Sequence, residues 1–334
     1  MNTQTPSKRT LTDDFGRRVK YVRLSLTDRC DFRCVYCMSE DMTFLPRKDI
    51  LSLEELLALG KAFADLGVEQ IRLTGGEPLV RRDMLWLVEQ LAKLPIELTL
   101  TTNGSQLASM APQLKAAGLS RINVSLDTLD EARFAELTRT GRLSQVLAGL
   151  DVASQQSFDA IKLNAVIMKG RNDHEVGELV VYACRQGFDI SFIEEMPLGH
   201  IEEHDRQLAF CSSDDIRERL SEQFTLQESG YATGGPSRYY QVQGEQTRVG
   251  FISPHSHNFC DQCNRVRVTA EGRLLLCLGN EHSMDLRQVL RAPGYQPEHL
   301  EQALMQAMHL KPERHWFDDP EAPQVIRFMN MTGG

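Results

Sequence analysis

Cys30, Cys34 and Cys37 lie in the stretch from Asp28 to Met38 at the spacing C-x3-C-x2-C. Three thiolates this close in sequence can wrap one face of a cubic iron–sulfur cluster, and with no fourth cysteine nearby one iron is left open to another ligand. The plainer alternatives are a tetrahedral zinc site completed by a distant residue, or reduced core cysteines that only pack. Zinc sites more often use C-x2-C pairs, which favours the cluster.

A second group, Cys260-x2-Cys263 followed by Cys277, again offers three sulfurs, with a hairpin expected between them to bring all three together. His255 and His257, just upstream, are candidates for a fourth ligand, so zinc competes evenly with a cluster on these residues alone. Asn264-Arg265-Val266-Arg267 sets two guanidiniums on one face of a strand beside this second metal. Arginine presents a planar fork suited to phosphate, although a solvated strand face would look the same. Cys184 and Cys211 stand apart, and Cys184 in its apolar helical run belongs to a core.

The elements that must position these groups follow from hydrophobic periodicity. Short β-branched runs alternate with amphipathic helical stretches, the signature of βα units on a parallel sheet. Strands are expected near Val22–Leu26, Gln70–Leu73, Glu97–Thr101, Arg121–Leu126, Ile161–Met168 and Ile190–Glu194. Ser52 and Glu55 form a capping box before the apolar stripe Leu53, Leu56, Leu57, Leu59 and Phe63, and Gly67 ends that helix. Six such units make an open, partial (βα)6 barrel. The cysteine loop follows the first strand and Thr74-Gly75-Gly76-Glu77-Pro78 the second. Thr101 to Gly104, Ser125 with Asp127, and Glu194 to Pro197 end the third, fourth and sixth. Active sites of parallel βα architectures gather at these carboxyl ends, so all five groups should face one mouth.

After Pro197 the alternation stops. A helix near Ser213–Glu222, a Gly/Ser-rich turn around Gly230–Ser237, strands at Tyr239–Val242, Thr247–Ile252, Arg265–Ala270 and Leu274–Leu278, and a helix near Pro297–Met308 suggest a smaller α+β domain. The expected division is a flexible N-terminus over 1–12, the barrel over 13–205 and the C-terminal domain over 206–334.

The 334 residues, 41% hydrophobic and 25% charged, describe an ordinary globular chain. No run of eighteen apolar residues and no apolar signal core is present, so a cytoplasmic protein is expected. There the eight cysteines would stay reduced rather than build a disulfide framework. A formal net charge of −9 disfavours nucleic-acid and membrane partners, and an anionic substrate would then need a local basic cluster.

Tyr36 within C-x3-C-x2-C resembles the radical S-adenosylmethionine (SAM) superfamily. With C-x2-C-x13-C near the C-terminus and a chain ending in Gly333-Gly334, the pattern closely resembles the GTP 3′,8-cyclases (the MoaA family) from about Asp14 onward. The resemblance implies a partial radical SAM barrel with a C-terminal α+β domain carrying an auxiliary cluster. It implies two [4Fe-4S] clusters, held by Cys30, Cys34 and Cys37 and by Cys260, Cys263 and Cys277. Tyr36, Gly76, Ser125 and Met196 match SAM contacts. Arg23, Arg72, Thr101, Lys162, Arg265, Val266 and Arg267 match GTP contacts, and the Gly333-Gly334 tail reaches the active site. The implied reaction cleaves SAM to a 5′-deoxyadenosyl radical that takes the ribose 3′ hydrogen of GTP. The C3′ radical then attacks guanine C8, opening molybdenum cofactor biosynthesis. An electron donor, a homodimer and a downstream cyclic pyranopterin synthase complete the expected partners. Gln70 and Ser191 stand where many members carry Lys and Arg, which bears on the triphosphate contacts; Lys169, Arg171 and Arg238 are candidates to compensate. Two rivals stay open, a peptide-maturing radical SAM enzyme with an auxiliary cluster, and a non-catalytic iron–sulfur or zinc protein.

Overall fold

The computed structural model describes residues 9–201, 204–317 and 325–333. Expectations placed on residues 1–8 and on Gly334 lie outside them. One sheet of twelve strands runs through the molecule in the order β12-β11-β10-β1-β2-β3-β4-β5-β6-β9-β8-β7. Its six central strands are β1 (Tyr21–Ser25), β2 (Gln70–Thr74), β3 (Glu97–Thr102), β4 (Arg121–Ser125), β5 (Ala160–Ile167) and β6 (Asp189–Glu194), each parallel to the next. These are the six strands expected from the sequence, within a few residues at each end.

The C-terminal strands do not form a separate sheet. Strand β9 (Arg248–Ile252) pairs parallel with β6, and β10 (Arg265–Val268) pairs parallel with β1. Each then carries an antiparallel hairpin outward: β8 (Arg238–Val242) and β7 (Leu226–Glu228) on one side, β11 (Arg273–Leu275) and β12 (Ser283–Asp285) on the other. Both open edges of the six-stranded barrel are covered in this way, which removes exposed backbone hydrogen-bonding groups.

Local chemistry accounts for the elements. Ser52 and Glu55 make the expected reciprocal capping box on the helix Leu53–Asp65, and Gly67 takes the left-handed φ of +85° that follows it. Along β5 the outward residues Ile161, Leu163, Ala165 and Ile167 are buried against helices, while Lys162, Asn164 and Val166 face the interior and are only partly buried. The strand's apolar face therefore builds the core, and its polar face is left for a cavity. Glu194, at the end of β6, accepts from the backbone of Ser213, His255 and Ser256 and from the Ser256 hydroxyl, tying the barrel to the C-terminal segment.

Candidate functional site

The cysteine loop leaves β1 and rests on the loop after β2. Gly76 N donates to Thr27 O at 2.8 Å and Glu77 N to Arg29 O at 2.8 Å. A Cβ on Gly75 would lie 2.7 Å from Thr27 O, and one on Gly76 would meet Arg29 O and lie 2.6 Å from Asp28 O. Only glycine allows the two backbones to approach this closely. Glu77 then spans to β3, accepting from Thr102 Oγ1 at 2.8 Å, Asn103 N at 2.6 Å and Leu79 N at 2.9 Å. Burial raises its carboxyl to about 7 against the pull of these donors. Asp127 is likewise raised to about 6 by burial, while the Val166 amide and the Tyr36 hydroxyl, 2.8 Å away, oppose the rise. The Tyr36–Asp127 bond fastens the middle of the cysteine loop to the end of β4.

Burial lifts all three thiols, Cys37 to about 12 and Cys30 and Cys34 well above their ordinary value, with neighbouring charges adding to the effect. A soft cationic group held by all three would reverse that penalty.

Below this loop the barrel interior is basic. Register places Arg23 beside Arg72 on one side and Arg267 on the other, and Lys162 beside Asn123, which pairs in turn with Thr101. Arg265 lies opposite Tyr21. Burial and mutual repulsion lower Arg23 to about 10 and Arg267 well below its ordinary value, and burial lowers Lys162. Tyr239 Oη accepts from Lys162 Nζ at 3.0 Å. Burial alone would raise its phenol, but the Lys162 ammonium and hydrogen bonds with Lys162, Thr233 and Ser237 bring it down to about 8. Five cations packed together without carboxylates among them form a receptor for a polyanion.

Cys260, Cys263 and Cys277 front the same cavity, of about 270 Å³, as the first trio. That approaches the lower end of small-molecule sites, roughly 300–1,000 Å³. Burial raises Cys260 and takes Cys277 to about 11. Cys263 alone of the six is lowered, because Lys311 and Arg265 outweigh burial. His255 and His257 turn elsewhere, to Glu195 O and to Asp214. The chain end closes the site: Met329 N donates to Cys37 O, and Asn330 Nδ2 to Asp28 O. Gly333 O accepts from Arg23 Nε and Arg267 Nη1, both at 3.2 Å. Gly333 has φ +82°, and a Cβ there would lie 2.6 Å from Thr74 Oγ1.

Both trios offer thiolate donors, the set suited to iron–sulfur clusters. The cavity also carries buried polar atoms without a protein partner: Thr74 Oγ1, Thr101 Oγ1, Asn123 Nδ2, Asn164 Oδ1, Arg265 Nε and Asn330 Oδ1. Buried polar groups are ordinarily hydrogen-bonded, so this set fits a polar ligand.

Every residue singled out from the sequence for SAM or GTP lines this cavity, Val266 among them although it also belongs to the core. Gly333 touches its arginines, and Gly334 is outside the described residues. Lys169, Arg171 and Arg238 do not line it. Tyr21, Tyr239, Asn164 and Lys311 were missed. The inward alternation of β1 and β5 could have found Tyr21 and Asn164, but no local signal marks Lys311.

The radical SAM superfamily model matches residues 24–183, and the molybdenum cofactor synthesis C model residues 188–317. The chain is 60% identical over 326 residues to a GTP 3′,8-cyclase of Ectopseudomonas mendocina, covering 97% of this chain and 98% of that one. It is 60% identical over 327 residues to the GTP 3′,8-cyclase of Saccharophagus degradans, covering 97% and 99%. Among solved structures, Streptococcus suis SuiB superposes with a TM-score of 0.61 at 18% identity, covering 92% of this chain and 68% of that one. SuiB bound to S-adenosylmethionine gives 0.60 at 16%, covering 94% and 77%. At that identity the likeness extends to the fold.

Proposed function

This chain belongs to the GTP 3′,8-cyclase family of radical SAM enzymes, and we propose from that premise how its residues divide the work. The reaction converts GTP to (8S)-3′,8-cyclo-7,8-dihydroguanosine 5′-triphosphate, the first step of molybdenum cofactor biosynthesis. The observation that carries the assignment of roles is the joint opening of two cysteine trios and a five-cation floor on one cavity.

Cys30, Cys34 and Cys37 would hold the [4Fe-4S] cluster that works with SAM, and Cys260, Cys263 and Cys277 a second one. When bound, the first cluster and SAM supply a carbon radical that removes the ribose 3′ hydrogen of GTP. Gly76, Ser125, Met196 and Tyr36 bind SAM beside the cysteine loop. Arg23, Arg72, Lys162, Arg265 and Arg267 hold the triphosphate, with Thr101 and Val266 completing the grip. Their task is orientation: C3′ closes on guanine C8 only while ribose and base are kept in contact and water is shut out. Gly333 closes the wall without a side chain. No general base is assigned.

The partners of this reading are a low-potential electron donor, a second copy of the chain and a downstream cyclic pyranopterin synthase. Eight free cysteines support a cytoplasmic setting.

The test is anaerobic reconstitution with iron and sulfide, reduction, and addition of SAM with and without GTP. Mass spectrometry then follows 5′-deoxyadenosine and the cyclised nucleotide. GTP-dependent formation of both is expected. Deoxyadenosine without a nucleotide product would turn the search to another substrate, and neither product from protein holding two clusters would overturn the reading.

A further inference from the structure

Lys311 follows the helix Pro297–Met308 and is 3% exposed. Its ammonium donates to Leu276 O at 2.7 Å, Arg265 O at 3.2 Å and Cys263 Sγ at 3.5 Å. None of these acceptors is a carboxylate. A buried ammonium is costly unless compensated, and two carbonyls neutralise it only in part. Among the described residues the third acceptor of its ammonium is the Cys263 sulfur. The two carbonyls come from β10 and from the residue just after β11, so the ammonium is fixed beside the loops that lead from Cys263 into β10 and from β11 to Cys277. The surrounding wall is equally constrained: Arg17 donates to Cys260 O, Pro312 O and Glu313 O, and His315 N to Cys260 Sγ at 3.4 Å. At the other trio, Cys30 Sγ receives neutral donors from Phe32 N and Asn103 Nδ2.

We propose that Lys311 is a positioning and tuning residue for the second cluster, its fixed charge donating to the Cys263 sulfur and raising the reduction potential of the cluster held by Cys260, Cys263 and Cys277. The inference rests on the reading that these three cysteines hold a [4Fe-4S] cluster. One-electron reduction adds negative charge to a cluster already carrying three thiolates. A cation beside one sulfur stabilises the reduced form more than the oxidised one. The electron comes from a low-potential donor, and no bond is made or broken.

The experiment uses full-length protein in which Cys30, Cys34 and Cys37 are all replaced by Ala, so that only the second cluster remains. Iron and sulfide are counted, and the cluster is titrated with titanium(III) citrate in the presence of mediators, followed by electron paramagnetic resonance. Lys311→Gln, which keeps a donor for the carbonyls, and Lys311→Met are compared with Lys311→Arg. The expected result is full iron content, a midpoint moved to more negative potential in the Gln and Met variants, and a midpoint near that of the parent in the Arg variant. An unmoved midpoint in Gln and Met variants that hold their iron overturns the proposal. Loss of iron in both, with retention in Arg, also overturns it in favour of a purely structural lysine. A parent without any cluster would defeat the underlying reading, a result distinguishable from the others because it appears before Lys311 is touched.

Discussion

Lys162 and Tyr239 show how single side chains set the character of the cavity floor. The phenol lies near 8, below its ordinary value of 10. Between about pH 8 and 10 the unfolded chain therefore binds more protons, and stability rises with pH across that window and is lost as pH falls through 8. Lys162, lowered by burial, gives a slope of the same sign. Phenolate absorbance should show one of the seven tyrosines titrating near pH 8 in the protein without ligands, a transition missing from Tyr239→Phe. Replacing Lys162 or Arg267 by Ala removes one charged contact, worth about 1.5–3 kcal/mol. This should raise KM for GTP by roughly 10- to 150-fold while iron content stays at the parent level. Gly76→Ala acts elsewhere: its Cβ meets the Arg29 carbonyl, so the cysteine loop must move. Iron bound at the first trio should fall, and SAM cleavage with it, while the second trio keeps its iron.

The seam where β6 meets β9 gives the serine at 191 a packing role. Ser191 pairs with Gly250, and its hydroxyl lies 2.9 Å from Ser237 Oγ in a buried position. A Cβ on Gly250 would meet Ser237 Oγ and lie 2.7 Å from Ser191 Oγ. The turn of residues 233–237 thus occupies the space an arginine at 191 would need. Ser191→Arg should overpack this seam and cost about 1–3 kcal/mol, seen as a lower denaturation midpoint. Gln70 differs. Its Nε2 donates to Glu97 at 2.7 Å and its Oε1 has no partner, so Gln70→Lys removes an unpaired acceptor and faces Glu97 with a charge, and should lower the midpoint less than Ser191→Arg does.

At the scale of the whole molecule, residues from both ends of the chain meet in one cavity. Arg23 from β1 and Arg267 from β10 share the Gly333 carbonyl. Removing Gly333 and the residue after it deletes the carbonyl that the two arginines share. The cyclised nucleotide should fall at least about tenfold, while unfolding free energy changes by no more than roughly 1 kcal/mol, as measured by denaturant titration.

The sequence by itself determined what is local or periodic. Cysteine spacing, the Gly-Gly-Glu-Pro loop, the capping box at Ser52 and the six βα units could be read directly, because each depends on residues a few positions apart. Strand alternation also indicated that Arg265 and Arg267 share a face. Tertiary structure alone decided what rests on pairing across long separations. The C-terminal strands became the flanks of the barrel sheet because β1 and β6 needed partners on their open edges. The turn at 233–237 fills the place of a larger side chain at Ser191 for a reason no residue beside Ser191 discloses. Lys311 reaches Cys263 across 48 positions of chain, where only the folded packing of a helix end against two strands brings charge and sulfur together.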